Sequence, residues 1–125
     1  MIQAVNLSID LAGIPLKNPV IAASGTFGYG EEFERFADLT RIGGICVKGT
    51  SAGPIDGNLP PRLFPTPSGM LNSIGLENVG VDSFIRDKMP FLRKTGCAVF
   101  VNVFGFNEDE YAEVVDKLNM CDGIA

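Results

Sequence analysis

At 125 residues the chain has room for one domain with a packed core and too little for two ordinary ones. Its 46% hydrophobic and 20% charged residues make a globular balance rather than a disordered one. A net charge of -5 without any basic run argues against a nucleic-acid surface, and singly scattered lysines and arginines argue against an anionic-membrane patch.

No stretch approaches the roughly 18 consecutive apolar residues that a bilayer span needs. The start, "MIQAVNLSID", lacks a basic residue followed by an apolar run and does not read as a secretory leader. Cys46, Cys97 and Cys121 are odd in number, widely spaced and without a C-x-x-C pair, which fits reduced thiols in a cytoplasm better than a disulfide frame or zinc site. Histidine is absent, so any acid–base step on this chain must use another residue type.

In chain order, "VNLSIDLAGIPLKN" (5–18) alternates apolar and polar residues on both sides of Ala12-Gly13 and predicts a short β-hairpin. "PVIAAS" (19–24), ended by Gly25, predicts a buried strand. "GEEFERFADL" (30–39) sets Phe33, Phe36 and Ala37 at helical spacing behind two glutamates and predicts a helix. "GGICVKGT" (43–50) predicts a second buried strand, and a long loop with Pro54, Pro60, Pro61, Pro65 and Pro67 follows. "VDSFIRDKMPFLRKT" (81–95) predicts a helix that Pro90 should kink or split. "CAVFVNVFGF" (97–106) predicts a third strand, and "NEDEYAEVVDKLNMC" (107–121) a helix capped by Asn107. "GIA" then reads as the beginning of a fourth strand.

Strands alternating with helices imply parallel pairing. The pattern suits either a doubly wound sheet or a (β/α)8 barrel, and it reads as the front part of a larger domain. Parity locates a site. Val99, Val101 and Val103 share one face of the third strand against Ala98, Phe100 and Asn102, and Ile45 and Val47 oppose Cys46 and Lys48. Ile21 and Ala23 likewise oppose Ala22 and Ser24. Each strand therefore has a face fit to pack on helices and an opposite face ending in a polar residue: Ser24, Lys48 or Asn102. In a barrel these would meet at the C-terminal mouth, where such folds carry their chemistry. A semi-buried Lys48 also requires an anionic partner.

"GMLNSIGLENVG" (69–80) mixes amide and hydroxyl side chains with Met70, Leu71, Ile74 and Leu76. That mixture suits a segment closing over a small polar ligand. Other features read more plainly. "SGTFGYGEEF" fails the G-x-G-x-x-G spacing, and Glu31 and Glu32 would repel a pyrophosphate. Glu108, Asp109 and Glu110 read as a solvated helix start, Cys46 and Cys97 as core residues, and Arg62 as an exposed loop arginine. Phe100, Phe104 and Phe106 read as core or wall.

"LKNPVIAASGTFGYGEEF", "GGICVKGTS", "GNLPPR", "SGMLNSIGLENVG" and "VFVNVFG" together resemble the catalytic subunit of dihydroorotate dehydrogenase, nearest to the bacterial NAD-linked type B. "NSIGLEN" is the most specific block. The resemblance implies an α/β fold, the front part of a (β/α)8 TIM barrel with an N-terminal β-hairpin, with residues 1–125 forming the N-terminal portion of one FMN-binding domain. It implies FMN-dependent oxidation of dihydroorotate to orotate in pyrimidine (UMP) biosynthesis. By position, Ser24, Lys48, Gly49 and Asn102 would contact FMN, and Lys48, Asn72, Ser73, Ile74, Gly75 and Leu76 would hold the substrate. No metal site is implied. The family's cysteine base lies in a motif N-x-S-C-P-N, expected beyond residue 125 on the strand that "GIA" begins, so the 125 residues alone are expected to be inactive. Glu77 departs from the glutamine common at its position, and "RLFPTP" from a more acidic sequence. A cytoplasmic homodimer is implied, with an iron–sulfur electron-transfer flavoprotein subunit bringing FAD, an iron–sulfur cluster and NAD. The alternatives are a related flavin barrel acting on another dihydropyrimidine and a non-catalytic half-barrel.

Overall fold

The computed structural model describes residues 5–125; the first four residues of the start read as leader-free lie outside them. Its organising element is a three-stranded parallel sheet in the order β3-β4-β7, formed by β3 (Ile21–Ala22), β4 (Gly44–Thr50) and β7 (Ala98–Val103). Ahead of it, β1 (Ile9–Leu11) and β2 (Ile14–Leu16) pair antiparallel across Ala12-Gly13. Both turn residues have positive φ, 53° and 91°, as tight hairpins of this twist require.

One face of the sheet is dry. Ile45, Val47 and Val99 pack with Val81, Phe84, Met89 and Leu92 from the segment between β4 and β7, and with Val114 and Leu118 from the last helix. That last helix, α3 (Glu108–Asn119), begins as its sequence predicts. Asn107 accepts a bond from Glu110 N–H at 3.0 Å, and Glu110 reaches back to Phe106 N–H at 2.8 Å, so two otherwise orphaned donors near the start of the helix are satisfied. Val114 and Leu118, one turn apart, supply its buried stripe.

Pro90 does split its helix. α1 (Val81–Ser83) passes through a π turn at Phe84–Lys88 into α2 (Met89–Thr95), with the proline in the first turn of α2, where its missing N–H costs least. Gly96 in the left-handed region ends α2.

Three expectations are corrected. Residues 30–39 do not form an α-helix. They make 3-10 turns at Glu31–Phe33 and Leu39–Arg41, separated by an extended Asp38 that caps Thr40 N–H. The side chains that a helix would have lined up are taken by distant or local partners instead. Phe33 stacks on Phe27 at 4.3 Å, Glu31 bonds Lys88 at 2.6 Å, and Glu32 accepts from Tyr29 N–H at 3.3 Å. The first parallel strand is only two residues long and is not buried, with Val20 and Ile21 exposed. The proline-rich stretch is not all loop, because β5 (Leu63–Thr66) and β6 (Gly69–Asn72) pair antiparallel within it. Where "GIA" reads as the beginning of a strand, Ala125 N–H bonds Val99 O of β7 at 2.9 Å. Among smaller readings, Cys46 and Cys97 are half-buried rather than core, Arg62 is half-buried rather than exposed, and Phe106 is exposed.

Candidate functional site

The face of the sheet opposite the core opens into a cleft of about 710 Å³. It is lined by Ser24, Gly25, Lys48, Gly49, Asn72, Ser73, Ile74, Gly75, Leu76, Glu77 and Asn102. All nine residues proposed from the sequence are in this set, drawn from three strand ends and one loop. Gly25 and Glu77 are additions. Gly25 carried a signal as the residue ending the first strand, and Glu77 as a departure from the family pattern.

Strand parity builds the floor. Lys48 follows the fully buried Val47 and therefore points to the other face, where its side chain is 29% exposed. Asn102, on the same face of the neighbouring strand, donates from Nδ2 to Ser24 Oγ at 3.1 Å. That bond ties the first and third strand ends together across the middle one. The glycines keep the floor low. A Cβ on Gly49 would have Asn102 Nδ2, 3.9 Å away, as its nearest neighbour, and one on Gly25 would meet nothing within 4 Å. A planar ring could approach the backbone at both places.

The wall is the loop after β6, and side-chain amides hold it. Asn72 Oδ1 accepts from Ile74 N–H at 3.0 Å, an Asx turn that leaves the Asn72 NH2 group for another acceptor. Asn58 donates to Ser73 O and Oγ, both at 3.0 Å, and its own N–H bonds Ile74 O at 2.9 Å. Gly75 (φ +80°) lies so close to Asn58 that a Cβ there would come within 2.7 Å of Asn58 N, so only glycine fits. Leu76 follows at φ +58°, an unusual conformation for a leucine that turns its apolar side chain outward, 54% exposed.

Behind the wall, buried Asn78 joins loop to sheet. Its Oδ1 accepts from Ser51 N–H at 3.3 Å and Gly80 N–H at 2.9 Å, while its Nδ2 donates to Ser51 Oγ and Leu76 O, both at 2.9 Å. A buried amide satisfied in this way specifies one loop conformation, since any other would strand its donors. The sequence motif contains Asn78, but its role as a scaffold needed the fold to be seen.

Two cations and one carboxylate set the local field. Glu77 Oε2 lies 3.0 Å from Arg62 Nη2 and 3.9 Å from Lys48 Nζ. Beside the cleft, the bond from Glu31 holds the Lys88 ammonium above its usual range, and burial pushes the Tyr29 phenol up. Among the described residues no cluster of side chains could hold a metal ion.

The cleft thus offers an ammonium, a carboxylate, two hydroxyls, two side-chain amides and exposed backbone over a glycine-flanked floor. Those groups complement a flat heterocycle with alternating donors and acceptors. Residues 6–125 match the sequence profile of the family described as dihydroorotate dehydrogenase. The chain belongs to that family. It is 52% identical over 120 residues to the dihydroorotate dehydrogenase B (NAD(+)) catalytic subunit of Geotalea uraniireducens, covering 96% of this chain and 39% of that one. The B-type catalytic subunit of Geobacter sulfurreducens is 50% identical over 123 residues, 98% of this chain and 40% of that one. A Solibacter usitatus protein, provisionally named dihydroorotate dehydrogenase A (fumarate), is 53% identical over 119 residues, 95% of this chain and 39% of its own. The chain therefore spans about two-fifths of the length of these relatives. Among solved structures, DHODH from Eimeria tenella in complex with ferulenol superposes with a TM-score of 0.65 at 24% identity, over 90% of this chain and 33% of that one. The ligand-free form gives 0.64 at 22% identity, over 90% and 35%. At these identities the likeness establishes a shared α/β fold. None of the described helices is long and apolar enough to cross a membrane.

Proposed function

We propose that the full-length protein oxidises dihydroorotate to orotate on FMN, and that residues 1–125 supply the front part of a (β/α)8 barrel. The observation that carries the reading is the convergence, in a member of this family, of Ser24, Lys48, Gly49, Asn72, Ser73, Ile74, Gly75, Leu76 and Asn102 on one cleft. The donor set fits the group. Lys48, Ser24 and Asn102 can bond the polar edge of a flavin ring, and Gly25 and Gly49 leave room for its plane. Bound FMN would supply the hydride acceptor.

The chain's own residues then have distinct tasks. Asn72 NH2 and the backbone of 73–76 bind the carboxylate and ring amides of the substrate. Ile74 and Leu76 shield it from water. With FMN bound, the Lys48 ammonium would be available to offset negative charge developing in the cleft. No cysteine lines the cleft, so the proton acceptor is expected from the cysteine motif of the family, and these 125 residues alone are expected not to turn over. The name that two relatives carry, B (NAD(+)) catalytic subunit, supports electron exit to NAD through a partner subunit. From the family resemblance we further propose that this partner is an iron–sulfur flavoprotein carrying FAD and that the catalytic subunit is a cytoplasmic homodimer.

Anaerobic addition of dihydroorotate to the purified full-length protein should bleach an oxidised flavin band. Dihydrouracil should leave it intact. Bleaching by dihydrouracil alone would replace the proposal with a barrel acting on another dihydropyrimidine. A colourless protein that takes up no FMN would reduce it to a non-catalytic scaffold.

A further inference from the structure

The charge lining of the cleft is nearly cancelled. Lys48 is its one cation, and Glu77 stands 3.9 Å away with its carboxylate 41% exposed. That distance is too long for a hydrogen bond, and among the described residues Lys48 Nζ makes none. The same oxygen, Oε2, is instead held by Arg62, whose Nη2 lies 3.0 Å away. Arg62 is itself placed by the loop, with Nη1 donating to Asn58 O at 3.4 Å and its carbonyl accepting from Ser73 N–H at 2.8 Å. Anchor and target are thus different residues. Arg62 holds the carboxylate in position, while Lys48 feels its charge without being bound by it.

We propose that Glu77 sets the charge of the site: pinned by Arg62, it offsets Lys48 and keeps the affinity for monoanionic pyrimidines low enough for the product to leave. This rests on the functional reading above. Dihydroorotate and orotate carry the same carboxylate, so a fixed negative charge weakens both alike. It raises KM and product dissociation together and leaves the bond-breaking step alone. Two facts separate this role from simple loop bracing. The loop already has its own network through Asn58, Asn72 and Asn78, and Glu77 accepts no backbone hydrogen bond among the described residues.

The test is isothermal titration of orotate into the flavin-loaded full-length protein, wild type against Glu77→Gln. Glutamine keeps the shape and removes the charge. Orotate should bind roughly three- to tenfold more tightly to the variant at low salt, the range expected for a half-exposed charge about 4 Å from its partner. That gain should shrink at about 0.5 M salt, where the screening length falls to a few ångströms. The neutral carboxamide of orotate should gain less than about twofold, because it lacks the charge that Glu77 opposes. Unchanged or weaker orotate binding, or an equal gain for the carboxamide, overturns the proposal. If Glu77→Gln does not fold, Arg62→Gln frees the carboxylate to close on Lys48 and should weaken orotate binding; unchanged affinity overturns it. A wild-type protein that binds no orotate at all would instead overturn the functional reading, a different and recognisable failure.

Discussion

The two faces of β4 make the most informative comparison in the molecule. Ile45 and Val47 are fully buried against the helices, whereas Cys46 and Lys48, each one residue away, are only half-buried on the opposite face. Ile45, Cys46 and Val47 share one ladder with β7, whereas Lys48 lies where the register shifts and gives its N–H to Gly28 O at 3.2 Å. The dry face is held by apolar contact with Phe84, Met89 and Leu92, and the wet face by single polar bonds such as Asn102 to Ser24. Stability and the proposed chemistry therefore fall to alternating residues of one strand, and substitutions on the two faces should have separable effects.

The largest effect is expected on the dry face. Phe84→Ala empties the volume of a fully buried ring and should cost about 3–5 kcal/mol of stability in the full-length protein, measured by denaturant unfolding. Ligand affinity per folded molecule should survive. A loss below about 1 kcal/mol would mean that the helices do not pack the sheet as described.

Lys48→Met should do the reverse. Dihydroorotate-dependent flavin reduction should fall by about a hundredfold or more, as when a charge stabiliser is removed from a site, while the melting temperature stays within a few degrees. Equal losses in both measurements would mean that the wet face is structural after all.

The smallest effect tests the rim between the two faces, where Lys88 reaches Glu31 at 2.6 Å and lies 5.6 Å from the centre of the Tyr29 ring. Lys88→Met should cost about 1 kcal/mol, as expected of a partly exposed pair. The sign of its pH dependence is fixed. Lys88 is held above its usual pKa by Glu31, and Tyr29 is held above its own by burial. Both contributions are fully present below the unfolded values, about 10 for each group, and are lost as pH rises through the folded ones. Wild-type melting temperatures should thus drop above about pH 10, and the Lys88→Met variant should drop less.

Much of the site was legible because strand parity is a local property. Once 43–50 and 97–106 read as strands, Lys48 and Asn102 had to share the face opposite Val47 and Val101. The family motif then supplied the loop residues 72–76. Residues 30–39 misled for the opposite reason. Their spacing is helical, yet Phe27, Tyr29 and Lys88 compete for Phe33, Glu32 and Glu31, and these partners, two of them near in sequence and one distant, outweigh the weak propensity of a short segment. The β5–β6 hairpin was hidden by its prolines: Pro65 is tolerated in an exposed two-stranded pair with no further neighbour among the described residues, and Pro67 lies in the turn between the strands.

By itself the sequence determined the parallel strands β4 and β7, the capped helix α3, the break at Pro90 and the residue types available for a polar cleft. These depend on periodicity and on partners within a few positions. Only the tertiary structure decided that Asn78 would be the buried joint between loop and sheet, and that Arg62 and Glu77 would meet beside Lys48. Those contacts join residues 15 to 29 positions apart, and no local pattern encodes which distant partner a side chain will find once the chain has closed.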